Sequence, residues 1–447
     1  MKEPTMWKAI VPEPLRQPAL EVALDVAERL RDPERAVEIA RQGSEQSGFE
    51  YRRQKQRKPF SVVDGHAALA LLFGQLDRCF PGQGWDRLAH TYLVPAARSL
   101  EVSPVVSPCL FGGLAGLCFV IHYLFRNGTR YQRLLGTLDE LLFRKIIDIA
   151  VNRLPDPFPG GVTFSDYDVI SGPAGVGAYL LLRREVSGQG EASDAIINRL
   201  IFLSERRADG HLRFFVPPEW QPTERHLEQN PHGATDCGLA HGVPGPLAFL
   251  ALARLHGLER PGLSEAVRRL ADWVVAQQYE DDWGINWPYA VPPDGVEPLS
   301  RATTRAAWCY GSPGVARALW LAGCALEDSD LQDVAVEAMR AVRRRPIEVR
   351  RIDAPILCHG VAGLLQVVLR FANDTGDDFF AKMATELTEQ LLDLFEPDSL
   401  SGFRDIEPDG RKVDNPGLLE GAAGAALTLL AAATDVEPAW DRMFLLS

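Results

Sequence analysis

Apolar positions along this chain fall into two alternating kinds of segment. The first kind is ten or more residues long, rich in Leu and Ala, and apolar on most sides. It opens on a Gly-x-x-Gly motif in "GLAGLCFVIHYLF" from Gly113, "GPAGVGAYLLL" from Gly172 and "GVPGPLAFLALARL" from Gly242. It recurs in "GSPGVARALWLAG" from Gly311, "GVAGLLQVVLRF" from Gly360 and "GAAGAALTLLAA" from Gly421. A seventh, weaker copy is "GHAALALLFGQLD" from Gly65, where Ala68 replaces the second glycine. Runs of this length and composition predict buried helices rather than strands. Pro173, Pro244 and Pro313 stand at or beside the expected first turns, where the missing N–H costs nothing. The glycines allow backbones to approach closely.

The second kind of segment is amphipathic. Examples are "YQRLLGTLDELLFRKIIDIAVNRL" from Tyr131, "SEAVRRLADWVVAQQ" from Ser264 and "LQDVAVEAMRAVRR" from Leu331. These predict outer helices with one wet face. Seven pairs of one buried and one half-exposed helix predict an all-α fold, a double-layered α/α toroid of seven inner and seven outer helices. An open superhelix would end in polar caps. The last repeat here is among the most apolar, so its surface is expected to be buried by closure on the first. Residues 1–60 fall outside the repeat and form an N-terminal extension, helical and packed on the toroid. The toroid itself is expected over 61–447. The run "RRQKQRK" from Arg52 reads as solvated. A stretch around 207–235, with prolines and a short β-like patch "LRFFV", is expected as a small irregular or β insertion near the mouth.

Aligning the repeats on their first glycine sets residues in register. The position just before it holds Asp64, Gly112, Ser171, His241, Tyr310, His359 and Glu420. The position before that holds Val63, Phe111, Ile170, Ala240, Cys309, Cys358 and Leu419. In a closed barrel, equivalent positions form a ring at one mouth, and polar groups above an apolar interior make a plausible active site. Repeats five and six are neighbours, so Cys309 and Cys358 should face one another, with His359 adjacent. Two thiols and an imidazole form a soft zinc site with an open fourth position, the pattern of a catalytic centre. Two thiolates make zinc a weak activator of water and suit it to a substrate thiol, so S-alkylation is the natural reaction class, with a nearby acid to protonate the resulting anion. His241 belongs to the same ring. Asp64 and Glu420 read as solvated rim residues. Cys79, Cys109, Cys118, Cys237 and Cys324 lie outside the register and read as structural, and the other histidines as surface or loop residues.

Composition narrows the class further. The net charge of −13 argues against a nucleic-acid surface and suits a basic partner. No apolar run is long enough to span a membrane, and the N-terminus lacks a signal-peptide core. Seven cysteines without close pairs predict a cytoplasmic protein with reduced thiols.

The "AHGVPG", "WCYGSPG" and "CHGVAG" motifs, with all seven glycine repeats over roughly 60–435, resemble the lanthionine synthetase C-like family, and within it the stand-alone class I lanthipeptide cyclases. The resemblance implies zinc (Zn2+) on Cys309, Cys358 and His359. It also implies addition of peptide cysteine thiols to dehydroalanine or dehydrobutyrine, giving lanthionine or methyllanthionine thioether rings. By motif, His241, Tyr310, Asp168 in "YDVISG" and Arg305 in "RAAWCYG" match family active-site positions. A charged loop residue is ordinarily solvated, and only the resemblance brings Asp168 and Arg305 to the site. It implies His241 as acid or base, Asp168 orienting it, Arg305 stabilising the enolate oxygen, and Tyr310 lining the site or assisting proton transfer. The implied partners are a dehydrated precursor peptide with its leader, a dehydratase and an exporter, with no nucleic acid and no direct membrane insertion. Any recruitment to the membrane would come through those partners. Two other readings stay open: a family member acting on glutathione or another small thiol, and a zinc-containing scaffold that binds peptides without turnover. The lack of a fused dehydratase and the Arg-, Ala- and Pro-rich composition favour the peptide cyclase.

Overall fold

The structure is a computed structural model and describes residues 6–54, 57–103, 105–152, 161–207, 210–297 and 303–447. Positions 55 and 56 of the basic run, the first five residues of the N-terminal segment, 153 and 154 of the amphipathic segment from Tyr131, and 208 and 209 of the insertion lie outside the described residues. The chain opens with α1 (Glu13–Arg29), α2 (Pro33–Gln46) and the short α3 (Glu50–Gln54). Buried and amphipathic helices then alternate: α4 (His66–Cys79), α5 (Trp85–Arg98), α6 (Leu114–Tyr123), α7 (Gln132–Asn152), α8 (Pro173–Leu180) and α9 (Gln189–Leu203). After the short α10 (Glu224–Gln229) come α11 (Pro244–Leu255), α12 (Leu263–Ala276), α13 (Ser312–Leu326), α14 (Ser329–Arg344), the one-turn α15 (Ile347–Arg350), α16 (Val361–Thr375), α17 (Asp378–Asp393) and α18 (Ala422–Ala433). The only strands among the described residues form three two-stranded antiparallel ladders: β1 (Thr235–Asp236) with β4 (Ala290–Val291), β2 (Tyr279–Asp281) with β3 (Gly284–Asn286), and β5 (Arg404–Ile406) with β6 (Lys412–Asp414).

The glycine-headed runs are α4, α6, α8, α11, α13, α16 and α18, as the apolar pattern predicts. Every residue of α16 from Val361 to Ala372 is buried, Gln366 and Arg370 included. The helices between them bury one side: in α14 it is Leu331, Ala335, Ala338, Met339, Ala341 and Val342, the pattern of a helix with one wet face.

The chain forms two compact units. One comprises Met1–Ser107, Phe111–Leu135 and Arg351–Asp441, and the other Pro108–Leu110, Gly136–Arg350 and Arg442–Ser447. In the first unit α16 packs on α18, α18 on α4 and α4 on α6, so the last repeat does lie against the first. No outer α-helix follows α18; α1 packs along it instead. Trp7 Nε1 donates to the Ala431 carbonyl at 3.0 Å and the Ala9 N–H to Asp435 at 2.8 Å, anchoring the approach to α1. The N-terminal segment thus serves as the outer partner of the seventh repeat.

Arg52 is not solvated. Its guanidinium contacts Asp405 at 2.8 Å, Glu420 at 3.0 Å and Glu407 at 3.2 Å. Glu420 therefore takes part in a salt-bridge network rather than standing in solvent at a rim. Sequence gave no hint of this, because the three carboxylates lie more than 350 positions away. In the second unit α11 packs between α8 and α13.

The glycine pairs have a steric cause. A Cβ on the second glycine of the motif would stand 1.9 Å from the Leu357 carbonyl oxygen at Gly363, and 2.2 Å from that of Trp308 at Gly314. In each case the obstructing carbonyl lies six residues back. At these helices the preceding loop folds down onto the first turn, and only glycine leaves room for it; the first repeat carries Ala68 at that place.

Gly363→Ala is therefore expected to cost about 2–4 kcal/mol. Gly136→Ala, in α7 with open space where its Cβ would be, should stabilise by about 0.5–1 kcal/mol. Urea unfolding midpoints check both, and equal effects at the two sites would contradict the steric account.

Candidate active site and metal centre

The loops pressed onto the inner helices are joined to one another by backbone hydrogen bonds. In the second unit the Val169 N–H donates to Ala240 at 3.1 Å, and the Ala240 N–H to Cys309 at 3.3 Å. In the first, the Cys358 N–H donates to Leu419 at 2.9 Å, the Leu419 N–H to Val63 at 3.3 Å, and the Val62 N–H to Phe111 at 3.0 Å. These are the residues two before the first glycine, or their immediate neighbours. The register read from sequence is a physical one, and it fixes the height of each side chain that follows.

Asp168 is fully buried. Its Oδ1 accepts the N–H groups of Gly172 at 2.6 Å and Ser171 at 2.8 Å, just ahead of α8. Its Oδ2 lies 2.6 Å from His241 Nδ1. The carboxylate is thus fixed by its own loop, and it fixes the imidazole through Nδ1, leaving Nε2 outside this pair. Phe164 stacks on the His241 ring at 5.1 Å, and Tyr310 lies 6.4 Å away. Burial alone would lower the His241 pKa. The Asp168 hydrogen bond and the charges of Asp168, Asp236 and the Cys309 sulfur outweigh it and raise the pKa.

Tyr310 donates its hydroxyl proton to Asp236 Oδ2 at 2.8 Å, and Tyr289 packs beside its ring at 5.4 Å. Asp236 is buried in β1, and its Oδ1 accepts the Gly238 N–H at 2.7 Å. Burial pushes its pKa up to about 6, against the bonds from Gly238 and Tyr310 and the pull of His241. Burial, then the Asp236 charge, holds the Tyr310 phenol well above its ordinary range. Asp236 went unnoticed in the sequence, although it stands six residues before Gly242 just as Arg305 stands six before Gly311. That shared offset was the available signal.

Arg305 is half-buried, and its N–H donates to the Tyr289 hydroxyl at 3.2 Å. Among the described residues no carboxylate pairs with its guanidinium. The insertion reaches this neighbourhood: His226 of α10 meets Phe164 edge-on at 6.1 Å. The insertion is irregular, with a 3-10 turn at Pro218–Trp220 and an isolated bridge between Val216 and Ala234.

Of the three metal ligands expected from the register, Cys309 is buried in the second unit, and Cys358 and His359 are half-buried in the first. Two sulfurs and one imidazole nitrogen fit zinc in type and number, with one coordination position over. Cys237, by contrast, is buried with its thiol pKa raised by desolvation, the environment of an inert structural cysteine.

Helices of this order, alternating buried and amphipathic behind glycine motifs, define one class of protein. The family model of the lanthionine synthetase C-like proteins matches residues 56–445, and the chain belongs to that family. A curated relative, the nisin biosynthesis protein NisC of Lactococcus lactis subsp. lactis, is 25% identical over 377 residues, covering 83% of this chain and 84% of its own. The solved structure of a nisin cyclase matches with a TM-score of 0.76 at 23% identity, covering 89% of this chain and 94% of that one. The likeness shows the fold class, an α/α toroid, as the repeats predict. Among the described residues no helix is long and apolar enough to cross a membrane.

A raised His241 pKa means that the fold stabilises the imidazolium. That contribution is full below the ordinary value of 6.5 and is lost as pH rises through the raised value. Asp168→Asn is expected to lower the His241 pKa, read from its imidazole resonances by NMR on zinc-loaded protein. An unchanged pKa would show that Asp168 does not govern the ring.

Proposed function

We propose that this chain is a zinc-dependent lanthipeptide cyclase. On this reading it adds cysteine thiols of a dehydrated precursor peptide to dehydroalanine or dehydrobutyrine, closing thioether rings. The supporting observation is the Asp168–His241 pair, 2.6 Å apart, in the same unit as Cys309, which immediately precedes Tyr310. Zinc held by Cys309, Cys358 and His359 would supply a Lewis acid that lets a substrate thiol lose its proton near neutral pH.

The remaining work falls to the chain's own groups. In the addition a sulfur–Cβ bond forms, the C=C π bond breaks, and charge moves onto the adjacent carbonyl oxygen as an enolate. Arg305, whose guanidinium has no carboxylate partner among the described residues, stabilises that oxygen. The thiol proton passes to solvent, His241 Nε2 delivers a proton to Cα, and the imidazole takes one back from solvent, so the product is neutral and the step balances. A pKa raised by Asp168 favours the protonated form of His241 for this step. Phe164, Tyr289 and Tyr310 supply aromatic surface beside the reacting groups. The substrate implies a dehydratase upstream and an exporter downstream, and a cytoplasmic setting with reduced thiols.

Ring closure leaves peptide mass unchanged but removes alkylatable thiols, so counting thiols before and after incubation with dehydrated peptide tests the reading. His241→Ala should slow closure by about 10²–10⁴-fold with zinc retained at one per chain. Cys358→Ala should lose the metal, read by elemental analysis. Persistent thiols with wild-type protein would leave a binding scaffold, and zinc loss from His241→Ala would make His241 a ligand.

A further inference from the structure

Two of the site's hydrogen bonds have the same construction. Asp168 lies in the loop ahead of the third repeat's glycine motif and holds His241, the residue just before the fourth motif. Asp236 lies in the loop ahead of the fourth motif and holds Tyr310, the residue just before the fifth. In each pair one carboxylate oxygen takes a backbone N–H of its own loop, from Gly172 or from Gly238, and the other takes the ring of the next repeat. We infer that Asp236 is a positioning residue for Tyr310, forming with it a second dyad built on the same plan as Asp168 and His241. This inference rests on the thioether-forming reading of the site.

The geometry assigns the two rings different work. The phenolic proton of Tyr310 is committed to Asp236 at 2.8 Å, so towards the substrate Tyr310 presents oxygen lone pairs, as a hydrogen-bond acceptor. Proton delivery falls to His241, whose Nδ1 alone is occupied. The Tyr310 ring is confined from several sides. Tyr289 packs on it at 5.4 Å, and a Cβ at Gly238 would stand 2.6 Å from its Cδ1. The pairing of β1 with β4 brings Asp236 opposite Ala290, next to Tyr289, and the Cys237 N–H donates to the Tyr289 carbonyl at 2.9 Å. These two-residue strands thus join the carboxylate and the neighbouring ring into one frame. Without Asp236 the phenol would keep its packing but lose the bond that sets its rotation and commits its proton.

The test uses the full zinc-loaded chain and a synthetic peptide carrying one dehydroalanine and one cysteine, with thiol loss as the assay. Asp236→Ala is expected to lower kcat by about 10–100-fold with KM within about threefold and zinc content unchanged. Tyr310→Phe should do the same, and the double variant should be no worse than the poorer single. Multiplying effects in the double variant would overturn the inference.

A second measurement does not depend on turnover. In protein labelled at tyrosine Cζ with ¹³C, the Tyr310 resonance is the one missing from Tyr310→Phe. It should move in Asp236→Ala and also in Asp236→Asn, which preserves shape where the alanine variant fails to fold. A resonance unmoved in Asp236→Asn would overturn the inference. If the wild-type chain leaves the peptide thiol alkylatable, the cyclase reading fails, and the resonance still decides whether Asp236 holds Tyr310.

Discussion

Everything at the candidate site depends on one backbone arrangement: a loop folded onto the first turn of a buried helix, close enough that its carbonyl excludes a Cβ. A Cβ added at Gly363 would stand 1.9 Å from the Leu357 carbonyl oxygen, and one at Gly314 2.2 Å from that of Trp308. Once loops are pressed down in this way, those of successive repeats come level and bond to each other. The Val169–Ala240–Cys309 and Cys358–Leu419–Val63 hydrogen bonds are the result. The candidate side chains then project from loops that main-chain bonds hold level. The helices supply the rigid support, and the glycines determine where the chemistry stands.

This arrangement explains how the site carries buried charge. Asp168 and Asp236 are taken out of water, which disfavours a carboxylate strongly unless donors replace the lost solvent. Asp168 receives two backbone N–H groups, a serine hydroxyl and the imidazole. Asp236 receives a single N–H and a phenol, and its pKa is accordingly pushed up to about 6. The two carboxylates thus differ in their donors: Asp168 holds an imidazole, and Asp236 holds a phenol.

The alternation of apolar and amphipathic segments made the helices legible, and alignment on the glycines made the register legible. Cys309, Cys358, His359, His241 and Tyr310 all follow from that register. Asp168 and Arg305 came only through family resemblance, because a charged residue four or six positions before a motif has no visible partner in one dimension. Asp236 was missed for a related reason. Its role depends on a two-residue strand pair and on a tyrosine 74 positions away, which no local pattern announces. The N-terminal segment showed its helices but not its place, since α1 belongs beside α18, near the other end of the chain. Arg52 shows the same limit: in a basic run, solvation is the default until distant acids are known.

X-ray absorption at the zinc edge of the purified, fully loaded chain tests the central claim most directly. The account predicts one zinc per chain with two sulfur neighbours at about 2.3 Å and lighter N or O neighbours at about 2.0–2.1 Å. A first shell without sulfur, or protein that holds no zinc after loading, would contradict it.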